Sequence, residues 1–358
     1  MVPVTPASPA PVTEQVVPKL GCRPPPDTLF AVDLRQRNIK QMKVTMQNST
    51  DPHPSVLTLT FVEMAEIKYV YSTLIFLWFV MIVVSNCTVI GTIVMHRSLH
   101  EPMYVLIAAL SANGLYGSAA FFLNLFVNLL SKTHTISYIA CIVQVYGLHT
   151  YGGCEMAILW VMALDRYVCI CNPLRYNSIM SLSTVYRLIA IALAYAVLQF
   201  TIQLILTIQL PLCSSVVQKF YCDNWSVVKL SCADTTVNNV YGLFITTVLG
   251  LITGTILISY LQILRLCMRS STDHRSKALQ TCIPHIISLT YFVLSQLSDT
   301  LLNRYPANIM PIELRVLISV QAFVIAPLLN PLIYGLKLKE IQVKAKQIFC
   351  NRNIFGVN

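Results

Sequence analysis

The chain has 358 residues, of which 55% are hydrophobic and only 11% are charged, and its formal net charge is +10. Soluble domains carry about 25% charged residues, so this composition excludes an ordinary soluble protein. The basic excess could indicate a nucleic-acid partner. However, the cations stand beside long apolar runs, where they act as a membrane-topology signal instead.

Residues 1–68 precede the first apolar run and are interpreted as a tail. The first 45 of them are rich in Pro, Lys and Arg, and they lack the apolar core of a cleavable signal peptide. This composition predicts disorder. We expect the natural start to be Met46, so that residues 1–45 are an extension absent from the mature protein. Asn48, in the Asn-Ser-Thr sequon that follows, is a predicted glycosylation site.

Seven apolar runs follow, and each can cross a bilayer as a helix, because about 20 residues span the hydrocarbon core. They predict an all-α membrane protein with a bundle of seven transmembrane helices over residues 69–336. Residues 337–358 then form a tail with a short, basic amphipathic helix. The runs are Tyr69–Met95, Pro102–Val127, Cys141–Leu164, Leu188–Pro211, Val237–Leu264, Thr281–Leu302 and Val316–Leu336.

The cations are unequally divided between the two sides of the predicted bundle. If the N-terminus lies outside, the inner loops and the chain end hold thirteen Lys and Arg residues, and the outer loops hold five. Cations concentrate on the cytoplasmic side of membrane proteins. The N-terminal tail is therefore extracellular and the chain end cytoplasmic, in a multi-pass plasma-membrane protein surrounded by lipid.

Four of the twelve cysteines fall in the outer loops or at an outer helix end, where the environment is oxidising. They predict two disulfides, and the sequence leaves all three possible pairings open. The four are Cys141, Cys213, Cys222 and Cys232. A second predicted glycosylation site, Asn224, lies in the same outer loop as three of them. Cys350, beyond a basic stretch, is a candidate acylation site.

The third run ends in MALDRYVCICNPLRY, which places Asp165, Arg166 and Tyr167 at the cytosolic boundary. An adjacent acid and base there can pair with each other or release the cation to another partner, which makes a two-state switch. The alternative is an interfacial pair that only anchors the helix. The position at the end of the third of seven runs favours the switch, with Arg166 as its central residue.

The seventh run contains PLLNPLIYGL, with Asn330, Pro331 and Tyr334. Pro331 cannot donate a backbone hydrogen bond, so the helix is weakened there and can kink. We expect Asn330 to satisfy the freed carbonyls and Tyr334 to lie one turn nearer the cytosol. A packing proline is the alternative. The presence of the acid–base triplet favours a hinge that belongs to the same switch.

Four segments together carry a family resemblance: LHEPMYVLIAALS (Leu99–Ser111), MALDRYVCICNPLRY (Met162–Tyr176), KALQTCIPH (Lys277–His285) and PLLNPLIYGLKLKEI (Pro327–Ile341). In this order they resemble the vertebrate odorant receptors, a branch of the rhodopsin-like G-protein-coupled receptors. The resemblance implies a receptor that binds a small odorant in the outer half of the bundle. It also implies activation of the olfactory stimulatory heterotrimeric G protein and a location in the cilia of sensory neurons.

The resemblance assigns roles to individual residues. It pairs Cys141 with Cys222, which leaves Cys213 to pair with Cys232. It makes Arg166 the residue that switches the G protein when the inner end of the sixth helix swings outward.

The chain also departs from the family pattern. Asn86 matches the polar residue of the first helix, but Gly114, with Asn113 beside it, stands where many members carry an acid in the second helix. A sodium-type site that uses this acid is therefore not expected. The sixth run reads TYFVLSQLSDT in place of the usual FYG-like stretch, and the branch tuned to water-borne odorants is the one that the chain resembles.

Polar and small residues in the outer half of the bundle are the candidates for ligand binding. They are His149, Gly152, Gly153, Gln296, Asp299 and Arg304. The two glycines either open a pocket or allow close helix packing. His149 is alternatively a buried histidine satisfied by its own helix. Arg304 suits a carboxylate or phosphate, which predicts a small polar or anionic odorant; alternatively it extends to lipid headgroups or pairs with Glu313.

Glu155 is the one acid halfway along the third run. An ionisable group at this depth is costly and therefore indicates a function. Its predicted partner is Asn86, Ser111 or Asn330, in a polar network between helices. A structural network is favoured over direct contact with an odorant.

Other functional classes fit less well. A transporter would show internal repeats and paired broken helices, and an enzyme would show clustered catalytic or metal-ligating groups. The histidines are instead scattered over several runs and loops, so neither an enzyme nor a cofactor is predicted. A non-olfactory receptor of the same fold, for a small metabolite or hormone, is the remaining alternative.

Overall fold

A computed structural model describes residues 53–60, 68–131, 133–269, 272–304, 312–337 and 339–350. It describes the backbone alone for residues 272–281, 301–304, 312–313, 315, 322, 335–337, 339 and 346–350. The expectations about residues 1–45, the start at Met46 and glycosylation of Asn48 lie outside the described residues. The side chains of Arg304, Glu313 and Cys350 lie outside them as well.

Seven long helices follow one another along the chain, one for each predicted apolar run. They are α1 (Lys68–Met95), α2 (Pro102–Leu130), α3 (Tyr138–Cys171), α4 (Leu182–Ile208), α5 (Thr236–Met268), α6 (Thr272–Arg304) and α7 (Ile312–Lys337). A short amphipathic helix, α8 (Lys339–Cys350), comes next. The predicted fold class, a seven-helix membrane bundle followed by an amphipathic helix, is confirmed.

Helix α4 departs from its predicted bounds at both ends. It begins more than one turn before the predicted Leu188, because the Ser181 side chain caps it by accepting a hydrogen bond from the backbone N–H of Thr184. It ends at Ile208, before Pro211. Hydropathy detects only the apolar part of a helix, so the polar first turn was missed.

Within the described part of the chain, five helical segments are long and apolar enough to cross a membrane by length and composition: α1, α2, α4, α5 and the Val316–Tyr334 part of α7. Helices α3 and α6 are similarly long but carry polar groups within them, such as Glu155 and His285. Both of these side chains are buried against other helices. Polar groups at membrane depth are tolerated when they face the bundle interior, as here.

Helix α3 is central and packs against α2, α4, α5 and α6. Its close approach to α2 depends on glycine. A Cβ at Gly117 would lie 2.3 Å from the ring of Tyr151, and a Cβ at Gly147 would lie 2.8 Å from the Cβ of Ala120. Small residues at a crossing allow two helix backbones to approach closely.

Three short strands form a small sheet on the outer side of the bundle, in the order β2-β1-β3. Strand β1 (Val56–Leu59) pairs antiparallel with β2 (Thr135–Ser137) and parallel with β3 (Val216–Val217). Leu57 and Leu59 are buried in an apolar cluster beneath the sheet. The described part of the tail is therefore built into the outer cap of the bundle.

Candidate functional site

A cavity of about 370 Å³ lies in the outer half of the bundle. Its walls come from α3, α4, α5 and α6 and from the outer loop between α4 and α5, with one contact from α7. Apolar side chains such as Met156, Leu249 and Phe292 line its inner part. Carboxamide and carboxylate side chains line the outer part, including Gln203, Asp223, Asn224, Asn238 and Gln296. The cavity therefore offers a polar end toward the outside and an apolar end toward the membrane centre.

Five of the six predicted ligand-binding residues line this cavity, namely His149, Gly152, Gly153, Gln296 and Asp299. They come from two helices, α3 and α6, that are far apart in the sequence. The sixth, Arg304, lies in the last turn of α6, and its side chain is outside the described residues.

The two adjacent glycines have different roles. A Cβ at Gly152 would have only Gln296 Nε2 nearby, at 3.4 Å, so this position leaves space in the cavity. A Cβ at Gly153 would lie 2.2 Å from the ring of Phe200 on α4. Gly152 thus opens the pocket, and Gly153 allows α3 and α4 to pack closely.

His149 is held by its own helix and also lines the cavity. Its Nδ1 lies 2.9 Å from the carbonyl oxygen of Val145. A carbonyl can only accept, so Nδ1 carries the hydrogen, and in the neutral ring Nε2 is an acceptor. The ring also meets Phe200 edge-on, with centroids 5.9 Å apart. Both interpretations of this histidine, satisfied by its own helix and contacting the cavity, therefore hold.

Part of the cavity wall was missed by the sequence reasoning. Asn238, Asn239 and Thr246 come from α5, and Tyr221 and Trp225 come from the outer loop. Two adjacent carboxamides at the outer end of an apolar run are a signal that could have been used. The loop residues gave no such signal, because the fold of a loop decides which of its side chains turn inward.

Asn224 is a further wall residue, and here the structure corrects a prediction. Its side chain is buried, and its Oδ1 accepts a hydrogen bond of 2.7 Å from the Thr207 hydroxyl of α4. A glycan needs an asparagine that projects into solvent. The folded structure therefore does not accommodate the predicted glycan at Asn224.

A cluster of charged and hydroxyl groups lies at the outer rim of the cavity. Lys219 Nζ lies 2.6 Å from Asp223 Oδ2 and 3.2 Å from Asp299 Oδ1. The hydroxyls of Tyr221 and Ser319 donate to the same Asp299 oxygen, at 3.2 and 3.0 Å. The cluster joins the outer loop to α6 and α7.

The charges in this cluster stabilise each other. Burial disfavours the charged form of Lys219, but its interactions with Asp223, Tyr221 and Asp299 together raise the pKa of the lysine. Burial likewise disfavours the Asp223 carboxylate, but Lys219 and the hydrogen bond from the Ser226 backbone together lower the pKa of this carboxyl group. Burial, together with the charge of Asp299, raises the pKa of Tyr221. At neutral pH the tyrosine therefore keeps its hydrogen and donates it.

Two disulfides fix the outer loop. One joins Cys141, at the start of α3, to Cys222, and the other joins Cys213 to Cys232. These are the pairs that the family resemblance implied. The backbone N–H of Cys222 also donates to Gln144 Oε1 of α3, at 2.9 Å. The loop segment that roofs the cavity is therefore anchored to α3.

A second polar site lies deeper in the bundle, around the buried Glu155 of α3. Asn113 of α2 and Asn330 of α7 each donate to one of its oxygens, both at 2.7 Å. Of the three predicted partners, Asn330 makes the contact. Asn86 donates instead to the carbonyl oxygens of Ile82 and Pro327, and Ser111 is not among the described residues that donate to Glu155. The missed partner, Asn113, is the residue beside the glycine that replaces the family's acid.

The hinge in α7 is completed from another helix. Pro331 has no N–H to donate to the carbonyl of Pro327, one turn earlier. Asn86 Nδ2 of α1 donates to this carbonyl at 2.8 Å. The prediction that Asn330 satisfies the freed carbonyl is wrong at this position, because its side-chain amide is bonded to Glu155.

At the inner end of α3 the acid–base pair is closed on itself. Arg166 Nε donates to Asp165 Oδ2 at 2.9 Å, and the Tyr176 hydroxyl donates to Asp165 Oδ1 at 2.9 Å. Both members of the pair are buried. Tyr167 packs, partly buried, against the inner apolar core. In this structure Arg166 is therefore paired with its neighbouring acid and not released to another partner.

Helix α7 also meets α6 near this switch. Tyr334 Oη and His285 Nδ1 lie 3.2 Å apart, within hydrogen-bonding distance. Both residues line a small cavity of about 90 Å³ together with Arg166. The Tyr104 hydroxyl of α2 donates to Glu340 of α8 at 2.8 Å, which ties the amphipathic helix to the bundle.

An outer cavity, a disulfide-anchored roof and an acid–base switch at the inner end, combined in one seven-helix bundle, define the class of heptahelical membrane receptors.

The chain matches the olfactory receptor family over residues 74–352. It is 30% identical to human olfactory receptor 52K1 over 313 residues, which are 86% of this chain and 99% of that protein. It is 32% identical to human olfactory receptor 51I1 over 302 residues, 82% of this chain and 95% of that protein. It is 33% identical to human olfactory receptor 51G2 over 270 residues, 74% and 85% of the two chains. The chain therefore belongs to the olfactory receptor family.

Membership of this family makes the chain an odorant receptor of the multi-pass membrane type and not an enzyme. Its ligands are odorants, and it couples to a G protein. The olfactory function is thereby favoured over a receptor for a metabolite or hormone. The branch tuned to water-borne odorants stays a prediction.

Proposed function

We propose that the outer cavity is the odorant site and that its ligand is small and polar. The carrying observation is that predicted residues from two distant helices, α3 and α6, meet around one cavity under an anchored loop. Its volume of about 370 Å³ is near the lower end of the usual range for ligand pockets, about 300–1,000 Å³. A polar outer end above an apolar inner end suits a ligand with a polar head and a short apolar body.

The anionic form of this proposal depends on Arg304. Two carboxylates, Asp223 and Asp299, line the cavity, and Lys219 is paired with both. An acidic odorant would meet like charges there unless another cation faces it. Replacing Arg304 by Ala tests this form, because unchanged potency of carboxylic acids would remove it.

The proposed mechanism is a population shift. A ligand that prefers one arrangement of helices moves the bundle toward it by no more than its difference in affinity. Helix α6 carries Gln296 in the cavity and His285 in its inner half. In the proposed active state α6 moves, the contact between His285 and Tyr334 is lost, and Arg166 leaves Asp165 for a partner on the G protein.

The inner ends of α3, α5 and α6 then form the docking groove for the α-subunit. Arg265 and Arg269, at the inner end of α5, would line it. We propose that the partner is the olfactory stimulatory G protein, which raises cyclic AMP, and that the receptor works in the cilia of sensory neurons. In this arrangement residues 1–68 are the extracellular tail, residues 69–336 the lipid-surrounded bundle and residues 337–358 the cytoplasmic tail.

A cyclic AMP assay of the full-length receptor against an odorant panel tests the proposal. Arg166→Ala should abolish the response. Gly152→Leu, which fills the cavity, should abolish it too. Gly91→Leu is the matched control, because a Cβ on this α1 residue meets no atom within 4 Å.

Surface labelling of every variant separates folding from signalling. An odorant response that persists in surface-expressed Gly152→Leu would exclude the cavity as the binding site. A response that persists in Arg166→Ala would exclude the proposed switch.

A further inference from the structure

We infer that Asp299 is a positioning residue: it holds helix α6 against the outer loop in the resting receptor and does not act mainly as an odorant contact. The inference rests on the proposed function, since it concerns how the cavity is coupled to movement of α6.

Asp299 Oδ1 accepts hydrogen bonds from three donors. Lys219 Nζ lies at 3.2 Å, the Tyr221 hydroxyl at 3.2 Å and the Ser319 hydroxyl at 3.0 Å. The first two belong to the outer loop, and the third belongs to α7. Hydrogen bonds to a charged acceptor are stronger than neutral ones, particularly away from bulk water. One carboxylate thus connects α6 to two neighbouring parts of the receptor.

The two loop donors are themselves held in place. The loop is bonded to α3 through the Cys141–Cys222 disulfide. Lys219 is also fixed by Asp223, which in turn accepts a 2.8 Å hydrogen bond from the backbone N–H of Ser226. Because the donors are anchored, a displacement of the outer end of α6 must lengthen or break the bonds to Asp299.

These bonds coexist with the closed form of the inner switch. In the same structure Arg166 is paired with Asp165, and Tyr334 lies beside His285. The bonds to Asp299 therefore belong to the resting arrangement. Asp299 and Tyr221 also line the cavity. A ligand that pushes either of them aside weakens the connection and biases the bundle toward the active state.

Asp299→Asn is the principal test, because it removes the charge and keeps the shape. We expect basal cyclic AMP per surface receptor to rise about fivefold, the lower end of the usual coupling between sites. Asp299→Glu keeps the carboxylate and should stay close to the unmodified receptor. The double variant Asp299→Asn/Tyr221→Phe should signal no more than Asp299→Asn alone, because both changes act on the same bond.

Asp234→Asn provides the matched control. Asp234 lies in the same outer loop, but its carboxylate accepts local hydrogen bonds, from the backbone N–H of Thr236 at 2.9 Å and from the Thr236 hydroxyl at 2.6 Å. The same exchange of Asp for Asn there should leave basal signalling unchanged. Arg166→Ala gives the background signal of a receptor that cannot activate the G protein. Antibody labelling of intact cells gives the number of receptors at the surface.

Basal signalling at or below the unmodified level in surface-expressed Asp299→Asn would overturn the inference. If this variant does not reach the surface, Tyr221→Phe and Ser319→Ala decide, since each removes a hydrogen bond to Asp299 and no charge. An unchanged basal signal in both would overturn the inference as well. A basal signal that Arg166→Ala does not lower would instead overturn the proposed function, and the inference with it.

Discussion

Replacing Glu155 by Ala is the perturbation for which the structure gives the clearest magnitude. Asn113 and Asn330 each donate to this carboxylate at 2.7 Å, and Glu155 is 1% exposed. The Ala variant leaves two buried amide groups without this acceptor, at about 1–3 kcal/mol each. The free energy of unfolding should therefore fall by about 2–6 kcal/mol, which lowers the Tm by roughly 5–20 °C.

The free energy of unfolding of Glu155→Gln should lie between that of the unmodified receptor and that of Glu155→Ala. Its amide oxygen can still accept from one asparagine, but its NH₂ group then faces the NH₂ group of the other. One hydrogen bond is lost, so the expected cost is about 1–3 kcal/mol. Thermal unfolding of purified receptor in detergent, followed by a thiol-independent fluorescence probe, measures both variants.

Combining Glu155→Ala with Asn113→Ala tests whether the loss of stability comes from the hydrogen bond between these two side chains. If the two side chains act through their mutual contact, removing Asn113 costs less once Glu155 is already absent. Fully additive losses, or a Glu155→Ala variant as stable as the unmodified receptor, would refute the reasoning.

Three further predictions concern packing at the glycines, the disulfides and the pH dependence of stability. Gly153→Ala should lower the free energy of unfolding by about 1–3 kcal/mol through overpacking, and Gly152→Ala by much less; thermal unfolding in detergent separates them. Cys222→Ser opens a loop of 81 residues and should lower the free energy of unfolding by about 4.5 kcal/mol. Cys232→Ser opens a loop of 19 residues and should lower it by about 3 kcal/mol. Surface expression should therefore fall more for Cys222→Ser. The pKa of Asp223 is lowered in the folded receptor, so its contribution to stability is complete above the unfolded pKa and is lost as the pH falls through the folded one. The free energy of unfolding should therefore decrease below about pH 4, and this decrease should be smaller in Asp223→Asn.

The helices were predicted well from the sequence, because an apolar run of about 20 residues is the length that spans a bilayer as a helix. What the sequence reasoning missed are elements specified by polar groups. The first turn of α4 depends on the cap at Ser181. Strand β1, Val56–Leu59, is four residues long, and its partners come from two loops far along the chain. A short apolar alternation of this kind is visible in the sequence, but its pairing is not.

The candidate site was also predictable only in part. Residue types were predictable, because a polar group at membrane depth is costly and therefore marks a contact. Partners were not predictable, because they depend on how each helix is rotated about its axis. Asn86 and Asn330 were both offered as partners of Glu155; of the two, Asn330 donates to it, whereas Asn86 donates to the hinge carbonyl of Pro327. Hydropathy gives the length of a span and not its rotation.

Helix α7 is the element that connects the two ends of this receptor. Along its described length it meets Asp299 of α6 near the outer rim, Asn86 of α1 and Glu155 of α3 in the middle, and His285 of α6 near the inner face. The first and last of these contacts are both with α6. The missing backbone hydrogen bond of the proline hinge lies between them, where the helix bends most easily. A bend of α7 at this point changes one contact with α6 relative to the other, so release at the cavity rim and opening of the inner switch can be two consequences of one movement.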